Sequence, residues 1–481
     1  MPVEIEDARV QLEKQYIGFG PNSTSVKPVH IANGVFREIL GEVYDTEFLN
    51  RMMYWQTKRG VVEKGHTSQE VFSRLQMEDL IDEEIKIQHV EDLRLILRKV
   101  LDVENAVYAY KFRWESYTAG YQGFVAADRI SKNFGGEFFG AWAKRKVPSL
   151  LAYLEDRLKD STDVVTLLSL PFLNTEEISV YTPDFDFDKV RFLSDNNGVS
   201  NNALWHGMAQ AAETLTAHLN KHSNKLFGMR ITILFASFFL IRYLASLESS
   251  FVPKTAGKLS PFLLDFSDDA SSPIARASAA SYIHVCQSIG RFYSWGFSKQ
   301  LRRLFTKKEI RQADPPTYKK KALSGDAREL WDLGLTEAQN VKDPFLTIGQ
   351  CLYDILMQKA QGGNPVGYLR QLGHRSGLLW PPVNFQPTKR FALQQDMLEM
   401  LVRGAVKPGD VVELQELQRR LWERYGIIIG GRLEDEDCLV RSGVYQADST
   451  ALQENQKRFA ERLSLLDFAD TLADGILKVE I

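Results

Sequence analysis

Cysteine is scarce. Cys286, Cys351 and Cys438 are the only three in 481 residues, too far apart for metal-ligand spacing, so neither a disulfide framework nor a zinc site is indicated. A reducing, cytoplasmic setting is the expectation. The acidic start, Met1 to Asp7, lacks the basic and apolar regions of a signal peptide. Long apolar runs are missing as well. The longest, Ile231 to Ile241, has 11 residues between Arg230 and Arg242, against roughly 20 needed to cross a bilayer. It predicts a buried central helix and no membrane partner. Nor does one sign of charge dominate: 59 Lys+Arg against 62 Asp+Glu give net −3, with no global bias toward nucleic acid or membrane. Catalytic signatures are absent too. Ala256-Gly257-Lys258-Leu259-Ser260 lacks the upstream glycine of a phosphate loop, and no nucleophile elbow, His-Glu-x-x-His pair or kinase set occurs. No internal repeat, heptad array or low-complexity tract appears. The sequence therefore nominates no catalytic residue, no resident metal and no cofactor.

What is present suffices for a large core. Hydrophobic residues make up 44% and charged residues 25%, ordinary for a folded chain of two or three domains. The pattern predicts a mainly α protein: multi-helical N-terminal and middle regions followed by a C-terminal winged-helix-like domain. Residues 1–200 read as a helical domain, with apolar positions such as Leu93, Ile96, Leu97, Val100 and Leu101 at helical spacing. Near 161–193 a β-leaning ribbon intervenes, with Val164 to Leu170 and Ile178 to Tyr181 as strands and Asp184 to Asp188 alternating. Residues 201–361 read as a helical middle domain with a helix from Ala279 to about Leu304, and 362–388 as a linker bracketed by Gly/Pro pairs. Residues 389–481 read as two helices, a short apolar strand Ile427 to Ile429, an irregular insertion at 432–449, a third helix from about Thr450, and a hairpin around Asp474-Gly475.

The strongest local anomaly is basic and aromatic. Between 291 and 321 stand Arg291, Lys299, Arg302, Arg303, Lys307, Lys308, Arg311, Lys319, Lys320 and Lys321 against Glu309 and Asp314, a local +8 that leaves −11 for the rest. Phe292, Tyr293, Trp295, Phe297, Phe305 and Tyr318 are interleaved. Cations would neutralise a phosphate backbone, and Tyr293 or Trp295 would stack on bases. The competing reading turns the rings into the core and leaves the charges solvated. Asp184, Asp186 and Asp188, on one face of a strand, would offer three carboxylates for a metal-dependent nuclease; an amphipathic edge ribbon explains them as well. His218 and His222 share a helical face and read as a solvated pair near a helix end. The Glu434 to Asp437 run reads as a solvated loop. Residues 389–481 carry 13 basic and 17 acidic residues, net −4, which favours protein docking over duplex DNA for that region.

Four segments carry a resemblance: Leu259 to Ser267, Gly373 to Pro381, Lys389-Arg390-Phe391 and Tyr425 to Gly431. They resemble accessory proteins of multi-gene bacterial phage-defence systems, whose large partner hydrolyses ATP or modifies DNA. The resemblance covers about the second half of the chain and transfers no functional residue. It implies a non-enzymatic subunit contacting DNA or RNA and docking a protein partner, such as an ATPase encoded alongside. The metal-dependent nuclease and a pure protein scaffold stand as alternatives.

Overall fold

Proline at the first helical position, preceded by a polar cap, starts two of the long helices. Ser272 accepts from the Ala275 amide ahead of Pro273–Leu304, and Asn364 accepts from the Gly367 amide ahead of Pro365–Arg375; proline there lacks only an amide that the first turn leaves unpaired anyway. The computed structural model describes residues 3–21, 26–46, 48–49, 66–101, 120–125, 134–194, 202–361, 363–381, 389–444, 447–471 and 477–481. Among these the fold is mainly helical, with 18 α-helices and 11 short strands. The chain divides into two compact units, one of Pro28–Asp184 with Leu219–Ile233, the other of Met1–Lys27, Phe185–His218 and Leu234–Ile481.

In the smaller unit the helices Pro28–Leu40 and Gly136–Lys146 cross where glycines meet. A Cβ on Gly136 would stand 2.3 Å from the Ile31 carbonyl oxygen, so only hydrogen fits there. Beside this crossing the fully buried Arg37 pairs with Glu137 at 2.6 Å and lies 5.0 Å from the Tyr181 ring centroid. Burying an unpaired guanidinium would cost several kcal/mol, so the two ions depend on each other. Strand Glu42–Asp45 pairs antiparallel with Asn174–Val180, which contains most of the expected strand Ile178 to Tyr181. Val164 to Leu170 is not a strand. Asp163 caps the helix Val164–Ser169 by accepting from the Thr166 amide at 2.9 Å and hydroxyl at 2.6 Å, and cap chemistry outweighs the β preference of Val164 and Val165.

The larger unit is built along Pro273–Leu304, which begins six residues before the expected Ala279. It packs on Pro344–Lys359, where a Cβ on Gly349 would meet the Ser294 carbonyl oxygen at 2.4 Å. The expected linker is folded where described. Pro365–Arg375 is a helix burying Tyr368, Leu369 and Leu372, and Leu379–Trp380 pairs antiparallel with Arg390–Phe391; Gly362 and residues 382–388 lie outside the described residues. Asp326–Asn340 is a helix not anticipated from the pattern. The apolar run at 231–241 sits inside the 27-residue helix Lys225–Phe251, the one described helix long and apolar enough to cross a membrane, and its apolar window is wholly buried.

Near the C-terminus come helix Gln395–Ala405, strand Val411–Glu413, helices Leu414–Tyr425, Leu433–Arg441 and Ser449–Leu465, and strands Ala469–Thr471 and Leu477–Glu480. Leu477–Glu480 is the middle strand of three, antiparallel to both Ala469–Thr471 and Val411–Glu413. The Asp474-Gly475 turn lies outside the described residues. Within the expected 432–449 insertion the helix Leu433–Arg441 holds Glu434, Asp435 and Glu436 in its first turn, and Asp435 is buried against Arg432 at 3.3 Å rather than solvated; residues 445–446 lie outside the described residues. Ile427–Ile428 pairs in parallel with Phe262–Leu263, so residues 389–481 share one unit with the helices before them.

Candidate functional site

Helical periodicity sorts the basic–aromatic segment into two faces. Phe292, Tyr293 and Phe297 are fully buried. The Tyr293 hydroxyl donates to the Glu13 carboxylate at 3.1 Å, so its ring is closed to any base. Trp295 is half-buried, edge-on to Tyr16 at 5.3 Å, with Lys299 Nζ 4.8 Å from its ring centroid. The stacking expected of Tyr293 is thus corrected, and Trp295 is taken up by Tyr16 and Lys299. Three of the cations are also committed to the fold. Arg291 pairs with Glu248 at 2.8 Å and Arg302 with Asp343 at 2.5 Å; Arg311 donates to the Ala338 and Val341 carbonyls at 3.1 and 3.0 Å.

Lys299 is half-buried over Trp295, and the other six cations are exposed. Arg303, Lys307, Lys308, Lys319, Lys320 and Lys321 form no ion pair among the described residues, and Lys307 Nζ reaches the carbonyl of exposed Lys342 at 3.4 Å. Lys319 and Lys320 sit at positive φ, 52° and 61°, at the tip of a hairpin joining Thr317–Tyr318 to Lys321–Ala322. Glu4 fixes that tip by accepting the Lys319 and Lys320 amides at 2.8 and 3.0 Å and the Thr317 hydroxyl at 2.6 Å. Glu4 and Arg303 also line one groove of about 510 Å³, floored by Phe297, Leu304 and Phe305. Arg303 is thus the cation that lines the groove, beside the carboxylates of Glu4 and Asp7, and Glu4 ties the hairpin that carries Lys319 and Lys320 to its edge.

Along the chain from Glu4 lies a buried polar station. The Ile5–Leu12 helix continues into a π-helical turn, Glu13–Ile17, closed by Gly18 at φ 82°. Arg9 donates to both Glu13 carboxylate oxygens at 3.0 and 3.2 Å and to Glu6 at 2.7 Å. Burial pushes the Glu13 carboxyl up to about 7, against the pull of Arg9 and Tyr293.

The four resemblance segments converge. Phe262–Leu263 lies beside Ile427–Ile428, Leu264 bridges to Phe391, and Leu379–Trp380 pairs with Arg390–Phe391. Phe262 and Phe391 stack at 4.3 Å. Buried Asn455 joins the strands, donating to the Leu264 and Ile429 carbonyls at 2.8 and 2.7 Å and accepting from the Phe266 amide at 2.9 Å. Arg242, fully buried, donates to the Ser260 carbonyl at 2.7 Å and covers the Phe262 ring at 4.4 Å; burial pushes its guanidinium down to about 9. At one side of this junction opens a cavity of about 460 Å³ whose wall includes Asp268, Trp380, Arg390, Gln394, Gln395 and Arg462. Arg390 Nε lies 2.5 Å from buried Asp265, whose other oxygen accepts from the Ser267 amide and hydroxyl at 2.8 and 2.5 Å. Sequence reasoning missed this cavity, because its walls come from separate segments between Asp265 and Leu466 and none carries a spacing signature.

The other sequence candidates are not assembled. Residues 184–185 form a bend rather than a strand, Asp186 is irregular and Phe187–Lys189 is a turn of 3₁₀ helix; Asp184, Asp186 and Asp188 are all exposed, with Asp186 paired to Lys189 at 2.6 Å. The alternation therefore places no three carboxylates on one strand face, and among the described residues no group of three or more His, Cys, Asp or Glu is placed to hold a metal ion. His218 is buried rather than solvated, with Nε2 2.7 Å from the Val406 carbonyl oxygen. Burial pushes the Cys286 thiol up to about 11 and the Cys351 thiol up to about 12, away from nucleophilic use. Compared with known proteins, the chain matches no family, no curated protein and no solved structure.

Proposed function

We propose that the chain is a non-enzymatic, cytoplasmic subunit of a bacterial antiviral defence complex that contacts nucleic acid and docks a protein partner. The observation that carries the reading is the set of seven exposed cations, Arg303, Lys307, Lys308, Lys319, Lys320, Lys321 and Lys342, on the end of the long helix, the segments after it and the Glu4-braced hairpin, with Arg303 and Glu4 lining one groove. Positive charge raised on a rigid helix end and a Glu4-braced hairpin binds phosphates without reading sequence. The antiviral setting rests on the resemblance of the four converging segments. We read residues 389–481 as winged-helix-like, because a helix, a strand and further helices lead to a hairpin whose last strand pairs with the first. Its net −4 favours a protein, such as an ATPase, as the partner it docks.

The test is binding of the full chain to labelled single- and double-stranded DNA and to RNA across roughly 50–200 mM salt, where log affinity should fall linearly with log salt. Reversing Arg303, Lys307, Lys308 and Lys320 to Glu should abolish binding while leaving the melting temperature unchanged. Absence of binding at the lowest salt, or binding that survives the reversal, removes these cations from function and leaves the scaffold reading.

A further inference from the structure

We propose that the cavity beside the strand junction is a nucleotide-binding pocket, taking a base against Trp380 and a phosphate between Arg390 and Arg462. At about 460 Å³ it lies within the range of small-ligand pockets, which are recognised by a few convergent polar groups on a largely apolar wall. The apolar wall is there in Phe266, Leu398 and Leu466. The convergent polar groups are unusual in being unemployed. Trp380 is 44% exposed, and its indole N–H has no partner among the described residues. The Arg390 side chain is 11% exposed; Asp265 holds it through Nε, while the terminal nitrogens make no hydrogen bond among the described residues. Arg462 and Asp268 are exposed at the mouth and form no ion pair there.

The chemistry of this set points to a nucleotide. A flat exposed ring offers a stacking surface to any base. A guanidinium steered from behind by a buried carboxylate is a preset phosphate donor, and Arg462 adds a second charge. Asp396 stands in the first turn of the Gln395–Ala405 helix and answers the positive end of its dipole, so the two guanidinium groups carry the anion. Asp268 supplies an acceptor for sugar hydroxyls. The same chemistry is presented by a free nucleotide and by the phosphorylated end of a single strand. The pocket shares no residue with the seven exposed cations, so either reading can fail alone.

The experiment is isothermal titration calorimetry of the full chain with adenosine 5′-monophosphate, adenosine and inorganic phosphate, followed by competition with oligonucleotides bearing a 5′-phosphate or a 5′-hydroxyl. The monophosphate should bind, and the two fragments should bind at least about ten-fold more weakly, since each keeps one of two anchoring interactions. Trp380→Ala and Arg462→Glu, both at exposed positions, should each weaken the monophosphate about ten-fold with an unchanged melting temperature. Competition by the 5′-phosphorylated strand alone identifies a strand end as ligand, and competition by neither strand identifies a free nucleotide; both outcomes uphold the pocket. No heat of binding up to millimolar monophosphate, or affinity untouched by both substitutions, overturns it.

Discussion

The basic–aromatic segment and the strand junction make opposite use of their residues. In the first, composition announces a site, yet the helix turns Phe292, Tyr293 and Phe297 inward and spends Arg291, Arg302 and Arg311 on intramolecular partners. In the second, four short segments of bland composition meet edge to edge and leave Trp380 and Arg390, with Arg462 of the Ser449–Leu465 helix, around a cavity. A window of sequence counts residue types, but a helix separates them by face and a strand junction gathers them from far apart. Exposed charge without an ion pair among the described residues is found in the first region from the last turn of the helix onward, at Arg303 and beyond. Ring exposure survives in the second only at an edge, at Trp380.

The largest expected effect lies at the junction. Phe391→Ala removes a fully buried ring stacked on Phe262 and vacates the space between the strands, and should cost about 3–5 kcal/mol in denaturant unfolding. Asn455→Ala should cost about 2–4 kcal/mol, because it strands two buried carbonyls and an amide that no other side chain serves. A change under about 1 kcal/mol in either would mean the segments pack loosely, and the junction would lose its standing as the more constrained region.

Within the basic–aromatic segment the inward face should answer as core. Tyr293→Leu deletes a buried ring and the hydroxyl that donates to Glu13, with an expected cost of about 2–4 kcal/mol. The salt dependence of nucleic-acid binding by the folded variant should not move. If binding falls while stability holds, the ring works at the surface and the contrast between the two faces collapses.

Glu13 adds a pH signature to that core. Its carboxyl titrates near 4.5 when exposed and at about 7 in the fold, because burial disfavours the charged form. Between those values the folded chain binds more protons than the unfolded one, so stability should fall as pH rises through that window and level off above it. The decline attributable to this group is on the order of 2–3 kcal/mol. Glu13→Gln should flatten that part of the curve in chemical denaturation followed from pH 4 to 8. A profile unchanged by the substitution would place the titration elsewhere.

Much of the helical frame was legible before any coordinates. The 231–241 run could only be buried, and the closing strands at 469–471 and 477–480 fall where alternation around Asp474-Gly475 put them, whereas the pattern favoured Ala279 and a linker over the starts at Ser272-Pro273 and Asn364-Pro365. The errors share a cause. Val164 and Val165 suggested a strand by propensity while Asp163 decided a helix by one cap. Glycines and prolines at 362–388 suggested a linker, yet Pro365 opens a helix whose Tyr368, Leu369 and Leu372 fill the core. Of the candidate site, the list of cations was legible. Which of them are consumed was not, since Glu248 and Asp343 lie some forty residues away from the arginines they bind.

The smallest effect is the sharpest test of the outward face. Lys321→Ala touches an exposed side chain with no ion-pair partner among the described residues, so stability should stay within about 0.5 kcal/mol. If Lys321 neutralises one phosphate, the slope of log affinity against log salt should shrink by about 0.9 in magnitude. Arg302→Ala serves as the internal contrast, because that guanidinium already holds Asp343 at 2.5 Å. Removing it deletes no phosphate contact, so the slope should stay as in the parent chain, while the freed Asp343 carboxylate lowers affinity by repulsion. Equal slopes for the two variants would mean that exposure does not distinguish these cations, and that the sequence tally of basic residues described the surface better than their placement does.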